Sequence, residues 1–395
     1  KVMSNLAVES HSLPTFEQRK KAVKGKAGNL RQKWLDTDEV ISAVYVDLCN
    51  GMTKSDVMEK LTKGLYETQR KPVSVRSAYE YIGCAYQRMQ YDFEAKAEEF
   101  KNILKMGRTQ LEDAVPMTLG QTFGAFANIL RDEIRNIEFA AEELLTVNMG
   151  ATAIGTGICS EPKYSEKCIA AMREITAWDI KLASDLVAAT SDTTSMVGYS
   201  QALRRISVKM NKICNDLRLL ASGPRCGLHE FDLPARQPGS SIMPGKVNPV
   251  IPEVMNQICY KVIGNDLCVA MSSEEAQMEL NAMEPVMAQC CFESAQIMMN
   301  GFDTLRINCV DGIKAKPEQC REYIHKSFGV VTALNPVIGY KNSTKIAKEA
   351  MATGKSVYDL VLEHGILTKE DLDTSLAPEN MIKPVKLDIK PLKQL

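Results

Sequence analysis

The sequence predicts an all-α fold: a three-domain subunit whose central bundle of long helices forms a core shared with other subunits. Three observations predict it. Apolar residues recur at spacings of three and four through several long runs, the signature of amphipathic helices. No stretch shows period-two alternation bounded by turn signals, so no sheet is expected to dominate. Runs of about 25 residues or more are long for a monomeric domain, and sustained 3-4-3-4 spacing suits near-parallel helices that other subunits extend.

Taken in order, residues 1–76 read as an N-terminal helical domain, 77–328 as the long-helix bundle and 329–395 as a small C-terminal helical domain. Residues 19–33 carry seven positive and no negative charges. With no aromatic interleaved, they read as a solvated helix face rather than a phosphate-binding one. Asp36-Thr37-Asp38 is expected to cap a helix running from Val40, and Pro72 breaks the short patterns after it. The first long run is Tyr86, Met89, Phe93, Ala97, Phe100, Ile103. After Met106-Gly107 come Phe123, Phe126, Leu130, Ile134, Ile137, Ala141 and Leu144. A third run is Leu203, Ile206, Met210, Ile213, Leu217, Leu220. A fourth opens at Val254, Ile258, Val262 and is expected to continue irregularly past Met283-Glu284-Pro285 to about Asn300. Beyond Gly329, Asn335-Pro336 reads as a break, Asn342-Ser343-Thr344 as a cap and Gly354 as a helix stop.

Composition excludes several function classes. Lys plus Arg number 48 against 49 Asp plus Glu, so nothing global favours nucleic acid or an anionic membrane. Aromatics at 6% are too few for a base-stacking surface. The 12 cysteines form no Cys-x-x-Cys pair and lie mainly in apolar helical stretches, such as Cys214, Cys259 and Cys268. They read as buried reduced thiols, hence a reducing compartment, the cytoplasm. No apolar run is long enough to span a bilayer, and Lys1-Val2-Met3-Ser4-Asn5 is followed by no apolar core of a secretory signal. The four histidines, His11, His229, His325 and His364, lie outside the polar loops and have no metal-ligand spacing. Neither a zinc site nor a histidine base is expected.

The stretch richest in chemistry is 236–249, Arg-Gln-Pro-Gly-Ser-Ser-Ile-Met-Pro-Gly-Lys-Val-Asn-Pro. Three prolines and two glycines forbid a helix there. An irregular glycine-bearing segment can turn several backbone N–H groups toward one small anion. Lys246 adds positive charge, Asn248 an amide, and Ser240 and Ser241 hydroxyls. This set suits recognition of a carboxylate and stabilisation of the anion formed next to it. A polar surface loop is the bland alternative. A second polar break, 107–120, offers Thr109 and Gln110 as small hydrogen-bonding groups; alone it reads as an interhelix turn. A third, 150–157, lacks the Lys-Ser/Thr of a phosphate loop and reads as close backbone packing. Glu253 falls at the start of a helix, where the dipole favours a carboxylate.

Gly239-Ser-Ser-Ile-Met-Pro-Gly-Lys-Val-Asn-Pro249 resembles the signature loop of the aspartase/fumarase superfamily. Gly107-Arg-Thr-Gln through Thr118-Leu-Gly120 is similar to its second conserved region, and the resemblance runs from about Phe93 to Glu363. Gln110 stands where fumarases usually carry His; with Leu233–Pro238 and Asn281–Pro285 it is similar to the aspartase branch. The resemblance implies a three-domain helical subunit in a homotetramer, with each active site drawn from three chains. It implies reversible deamination of L-aspartate to fumarate and ammonia, with no organic cofactor. Ser240 would match the general base on a mobile loop; Thr109, Gln110, Met243, Lys246 and Asn248 would match substrate contacts.

The family's upstream Gly-Thr-Ser/Thr loop and Ser-Ser/Thr-Asn-Asp turn have no counterpart between Gly51 and Asp92, so the N-terminal part reads as shortened. Three readings therefore stand: an aspartase, a fumarase-type lyase, and a catalytically impaired relative serving as a scaffold.

Overall fold

The computed structural model describes residues 85–393. The N-terminal domain, the basic stretch 19–33, the cap at 36–38, the break at Pro72 and His11 lie outside them, as does nearly all of the interval from Gly51 to Asp92. Helices dominate the described chain: α1 (Ala85–Glu99), α2 (Leu119–Glu143), α3 (Tyr164–Thr176), α4 (Thr194–Leu220), α5 (Val250–Glu274), α6 (Glu284–Asn308), α7 (Pro317–Lys326) and α8 (Val331–Thr353). Three short helices follow, α9 (Val357–Glu363), α10 (Lys369–Ser375) and α11 (Pro378–Met381). The strands pair only two by two: β1 (Leu104–Thr109) with β2 (Glu112–Thr118), β3 (Thr146–Val147) with β4 (Lys181–Leu182), and β5 (Phe231–Asp232) with β6 (Lys314–Ala315).

The described chain divides into two compact units. One includes Glu138–Tyr199 and Val269–Gln289; the other contains Met89–Ile137, Ser200–Cys268 and everything from Cys290 onward.

Periodicity located the core of α4 without error. Leu203, Ile206, Met210, Ile213 and Leu217 are completely buried, and Leu220 nearly so. In α1 and α2 the same rhythm buries Met89, Phe93, Phe123, Phe126 and Leu130. Phe123 is the hub: its ring lies 6.1 Å from Phe93, 5.3 Å from Phe100, 5.8 Å from Phe126 and 5.9 Å from Phe231, mostly edge to face.

In α5 the run was right at Val262, half right at Ile258, which is partly buried, and wrong at Val254. Val254 is 42% exposed, while Met255, Cys259, Val262 and Val269 are buried. Polar and apolar residues are mixed on every side of this helix, and Asn256, Asn265 and Asp266 are among its buried ones, so its sequence does not single out one stripe. Helix does resume past Met283 and runs beyond Asn300, but as a separate element. α5 ends at Glu274 and α6 starts at Glu284. Asn281, almost fully buried, joins the two ends. Its side-chain amide donates to Ser272 O at 3.1 Å and Ser273 O at 3.3 Å, and its Oδ1 accepts the N–H of Met283 at 2.8 Å. One side chain thereby satisfies carbonyls at the end of α5 and a donor at the start of α6.

Residues 107–120 are not an interhelix turn. They form most of a β-hairpin whose tip, Gln110-Leu111, has φ of 54° and 68°. A two-residue turn with both φ positive matches the twist of paired strands, but normally recruits Asn or Gly. Its absence here, with Pro116 inside β2 and a register shift between Met106 and Arg108, hid the hairpin from pattern reading. In the C-terminal part, Asn335-Pro336 does not break the chain. α8 runs through it and kinks at Gly339, whose φ of 79° a side chain would strain. Asn342 and Ser343 lie buried inside α8 and donate to Ile338 O and Gly339 O, so they cap nothing. Gly354 does end the helix, left-handed at φ 71° with its N–H on Ala350 O. Residues 331–372 carry a hydrophobic cluster of their own around Leu334, Ile338, Ile346, Leu360 and Ile366.

The ten described cysteines are free. Burial pushes the thiols of Cys259, Cys309 and Cys320 up to about 12, so they stay protonated and inert at neutral pH. Cys268 is only partly buried. The 150–157 segment packs closely, as read: a side chain on Gly155 would meet Val187 Cα at 2.3 Å. No described helix is long and apolar enough to cross a membrane.

Candidate functional site

Residues 239–249 are irregular and fold back on themselves between β5 and α5. The N–H of Gly239 donates to Lys246 O at 2.8 Å, and the N–H of Lys246 to Met243 O at 3.2 Å. The side-chain amide of Asn248 donates to Gly239 O at 3.0 Å. Asn248, read as a substrate contact, thus also closes the neck of the loop. Gly239 is required there, since a Cβ would stand 2.6 Å from Lys246 O. Gly245 turns the chain at φ 80°.

Ser240 is half-buried, and the N–H of Ile242 donates to its Oγ at 3.2 Å. That donor favours the charged form of the hydroxyl. It also means that the Ile242 N–H is directed at the serine rather than left free for a substrate carboxylate. Lys246 is exposed and forms no ion pair among the described residues. Ile242 (82%), Met243 (45%) and Val247 (50%) present apolar side chains to solvent. The loop thus exposes three apolar groups in the same short segment as a cation without an ion pair among the described residues.

The entry of this loop is anchored. Arg236 donates from Nε to Asn308 O at 2.7 Å and from its guanidinium to Ile307 O at 3.1 Å, which caps the C-terminus of α6. At its exit, Glu253 lies in the first turn of α5, as read, with Arg218 at 3.5 Å. Pro252 fits that turn because its missing N–H would have had no partner.

Thr109 and Gln110 are exposed at the tip of the β1–β2 hairpin. No described hydrogen bond or ion pair joins them to 239–249. The structure therefore gathers Ser240, Met243, Lys246 and Asn248 in one loop and puts Thr109 and Gln110 on a second platform.

Sequence reading missed what holds that platform. Glu230 is wholly buried, with Arg108 Nη1 at 2.5 Å from Oε1 and Lys105 Nζ at 3.1 Å from Oε2. The partners are 122 residues apart for Arg108, so no local spacing signals the pairing. Glu133 is a second silent carboxylate, buried beneath Arg205 at 3.2 Å and Lys209 at 2.7 Å. Of the histidines, His229 contacts Asp232 at 2.6 Å and His364 contacts Glu349 at 2.7 Å. No group of three or more His, Cys, Asp or Glu among the described residues is arranged to hold a metal ion.

A lyase family model matches residues 66–264, and a fumarase C C-terminal model matches 330–383. The aspartate ammonia-lyase of Escherichia coli K12 is 46% identical over 359 residues, covering 89% of this chain and 75% of that protein. The aspartate ammonia-lyase of Pseudomonas canavaninivorans is 52% identical over 299 residues, covering 75% of this chain. This chain spans 63% of the length of that relative. Among solved structures, a fumarate lyase:delta crystallin protein from Brucella melitensis superposes with a TM-score of 0.74 at 47% identity, covering 78% of this chain and 68% of that one. A class II fumarase from Schistosoma mansoni superposes with a TM-score of 0.72 at 25% identity, covering 91% and 88%.

Proposed function

Because the chain belongs to the aspartase/fumarase superfamily of lyases, we propose that it is an aspartate ammonia-lyase, interconverting L-aspartate with fumarate and ammonia. The observation that carries the reading is a 46% identity sustained over 89% of the chain, with the Ser240 loop intact within it.

The chemistry asks three things of the loop. The Cβ proton of aspartate is weakly acidic, so a base must meet it as negative charge builds on the β-carboxylate. Ser240 takes that proton; the electron pair forms the Cα–Cβ double bond and the Cα–N bond breaks, releasing ammonia. A serine is a poor base unless its alkoxide is stabilised. The Ile242 N–H on Oγ and the Lys246 charge nearby in the loop supply that, more strongly once closure excludes water. Met243, exposed beside Lys246, closes over the substrate; Thr109, Gln110 and Asn248 hold its carboxylate and ammonium groups.

The subunit is read as three-domain and homotetrameric, cytoplasmic and part of aspartate metabolism. Support for assembly comes from α5, where the large apolar side chains of Val254, Tyr260, Leu267 and Met271 are 42–62% exposed. Leu267→Arg is expected to lower the mass found by sedimentation equilibrium from four chains to fewer, with activity falling in step. An unchanged mass would remove α5 from the interface.

The test of the activity is direct. Fumarate absorbance is followed after adding L-aspartate, then L-malate. Fumarate is expected from aspartate alone. Fumarate from malate would make the chain a fumarase-type lyase, and none from either a relative without this activity.

A further inference from the structure

Resting on the lyase reading, we infer that Glu230 is a positioning residue: through Lys105 and Arg108 it fixes the base of the hairpin whose tip presents Thr109 and Gln110. Glu230 is itself held rigidly. Its N–H donates to Leu220 O at the end of α4 at 2.8 Å, and its carbonyl accepts the N–H of Lys316 at 2.8 Å. The carboxylate is fully buried between the two cations of β1, at 2.5 Å from Arg108 and 3.1 Å from Lys105. Arg108 is fixed from the other side by the ring of Tyr323, whose centroid lies 5.2 Å away. The Tyr323 hydroxyl is placed between Gly227 O at 3.1 Å and Leu228 O at 2.9 Å. Arg108 adjoins Thr109 in sequence, so this clamp acts on the backbone immediately below the two proposed contacts.

The hairpin needs such a clamp. Gln110 and Leu111 hold left-handed φ without glycine, a conformation that persists only where the surroundings over-determine it. Leu111 is 72% exposed, so burial of its side chain does little to hold the tip. The determination must come from below, where the charge-assisted Arg108–Glu230 hydrogen bond sets direction more sharply than apolar contacts; Lys105 adds its charge beside Oε2 while its Nζ donates to Met106 O at 3.0 Å, tying the same carboxylate to the β1 backbone. Apolar groups of similar volume would give as much stability as a buried ion cluster. Direction is what the ions add.

The test uses the full chain. Glu230→Gln leaves two buried cations with no carboxylate and is prone to misfold. Lys105→Met/Glu230→Gln keeps the local net charge, and Glu230→Asp keeps the carboxylate on a shorter stem. Folding is checked by far-ultraviolet circular dichroism before kcat and KM for L-aspartate are measured. In the folded double variant KM is expected to rise about tenfold or more while kcat changes less than about threefold, the mark of lost substrate grip rather than lost chemistry. Glu230→Asp should fall between it and wild type. Gln110→Ala should cost less in the double variant than in wild type, because the two act through one element. A folded double variant with wild-type KM overturns the inference. A wild-type chain that makes no fumarate overturns the lyase reading and the inference with it, whereas an active wild type with indifferent variants overturns the inference alone.

Discussion

Replacing Ser240 with alanine is expected to lower kcat for fumarate formation by about 10²–10⁴-fold, the usual worth of a positioned general base. KM should move little, because Asn248, Lys246 and the hairpin contacts remain. The loop should survive the change. Its closure depends on Gly239 N–H to Lys246 O and on Asn248 to Gly239 O, neither of which involves the serine side chain. The Ile242 N–H loses its acceptor on Ser240, but Ile242 is 82% exposed and water replaces it. Single-turnover rates with L-aspartate, on protein whose circular dichroism matches wild type, decide the matter. An unchanged rate would remove Ser240 from the mechanism.

Phe123→Ala is expected to destabilise the chain by about 3–5 kcal/mol, the range for deleting a large buried side chain. The site cannot collapse easily. Phe123 is completely buried, and four aromatic rings surround it at centroid distances of 5.3–6.1 Å. Those rings come from α1, α2, β5 and the turn after α1, so the cavity is walled by separate elements that would all have to shift. Urea unfolding at a fixed protein concentration, followed by circular dichroism, should show an earlier midpoint with a similar slope. A loss below about 1 kcal/mol would mean that the cluster does not act as a core.

The two variants probe regions that were unequally legible. The 239–249 loop announced itself because Pro and Gly are incompatible with the helices on either side, and its residue types match a carboxylate-handling task. Helix α4 was equally plain, because its buried and exposed faces differ sharply in polarity. Helix α5 was not, because it buries Asn256, Asn265 and Asp266 while exposing Tyr260, Leu267 and Met271, so polarity does not mark its inner face and its neighbours select it. The β1–β2 hairpin escaped because its turn uses Gln110 and Leu111 where glycine or asparagine is expected.

The chain's order of residues determined by itself that long helices form, roughly where they run, which loop is chemically loaded and which family it joins. Each of these rests on local periodicity, backbone restriction or contiguous motif, all readable over a few turns of chain. Tertiary structure alone decided which face of α5 is buried, that Asn281 divides α5 from α6, that Asn248 closes its own loop, and that Glu230 meets Lys105 and Arg108. The physical reason is that no local repeat or motif sets them. Glu230 meets Arg108 across 122 residues, and the buried face of α5 is chosen by its neighbours; Asn248 and Asn281 have partners within nine residues, but bond to them only where an irregular backbone turns the chain back on itself.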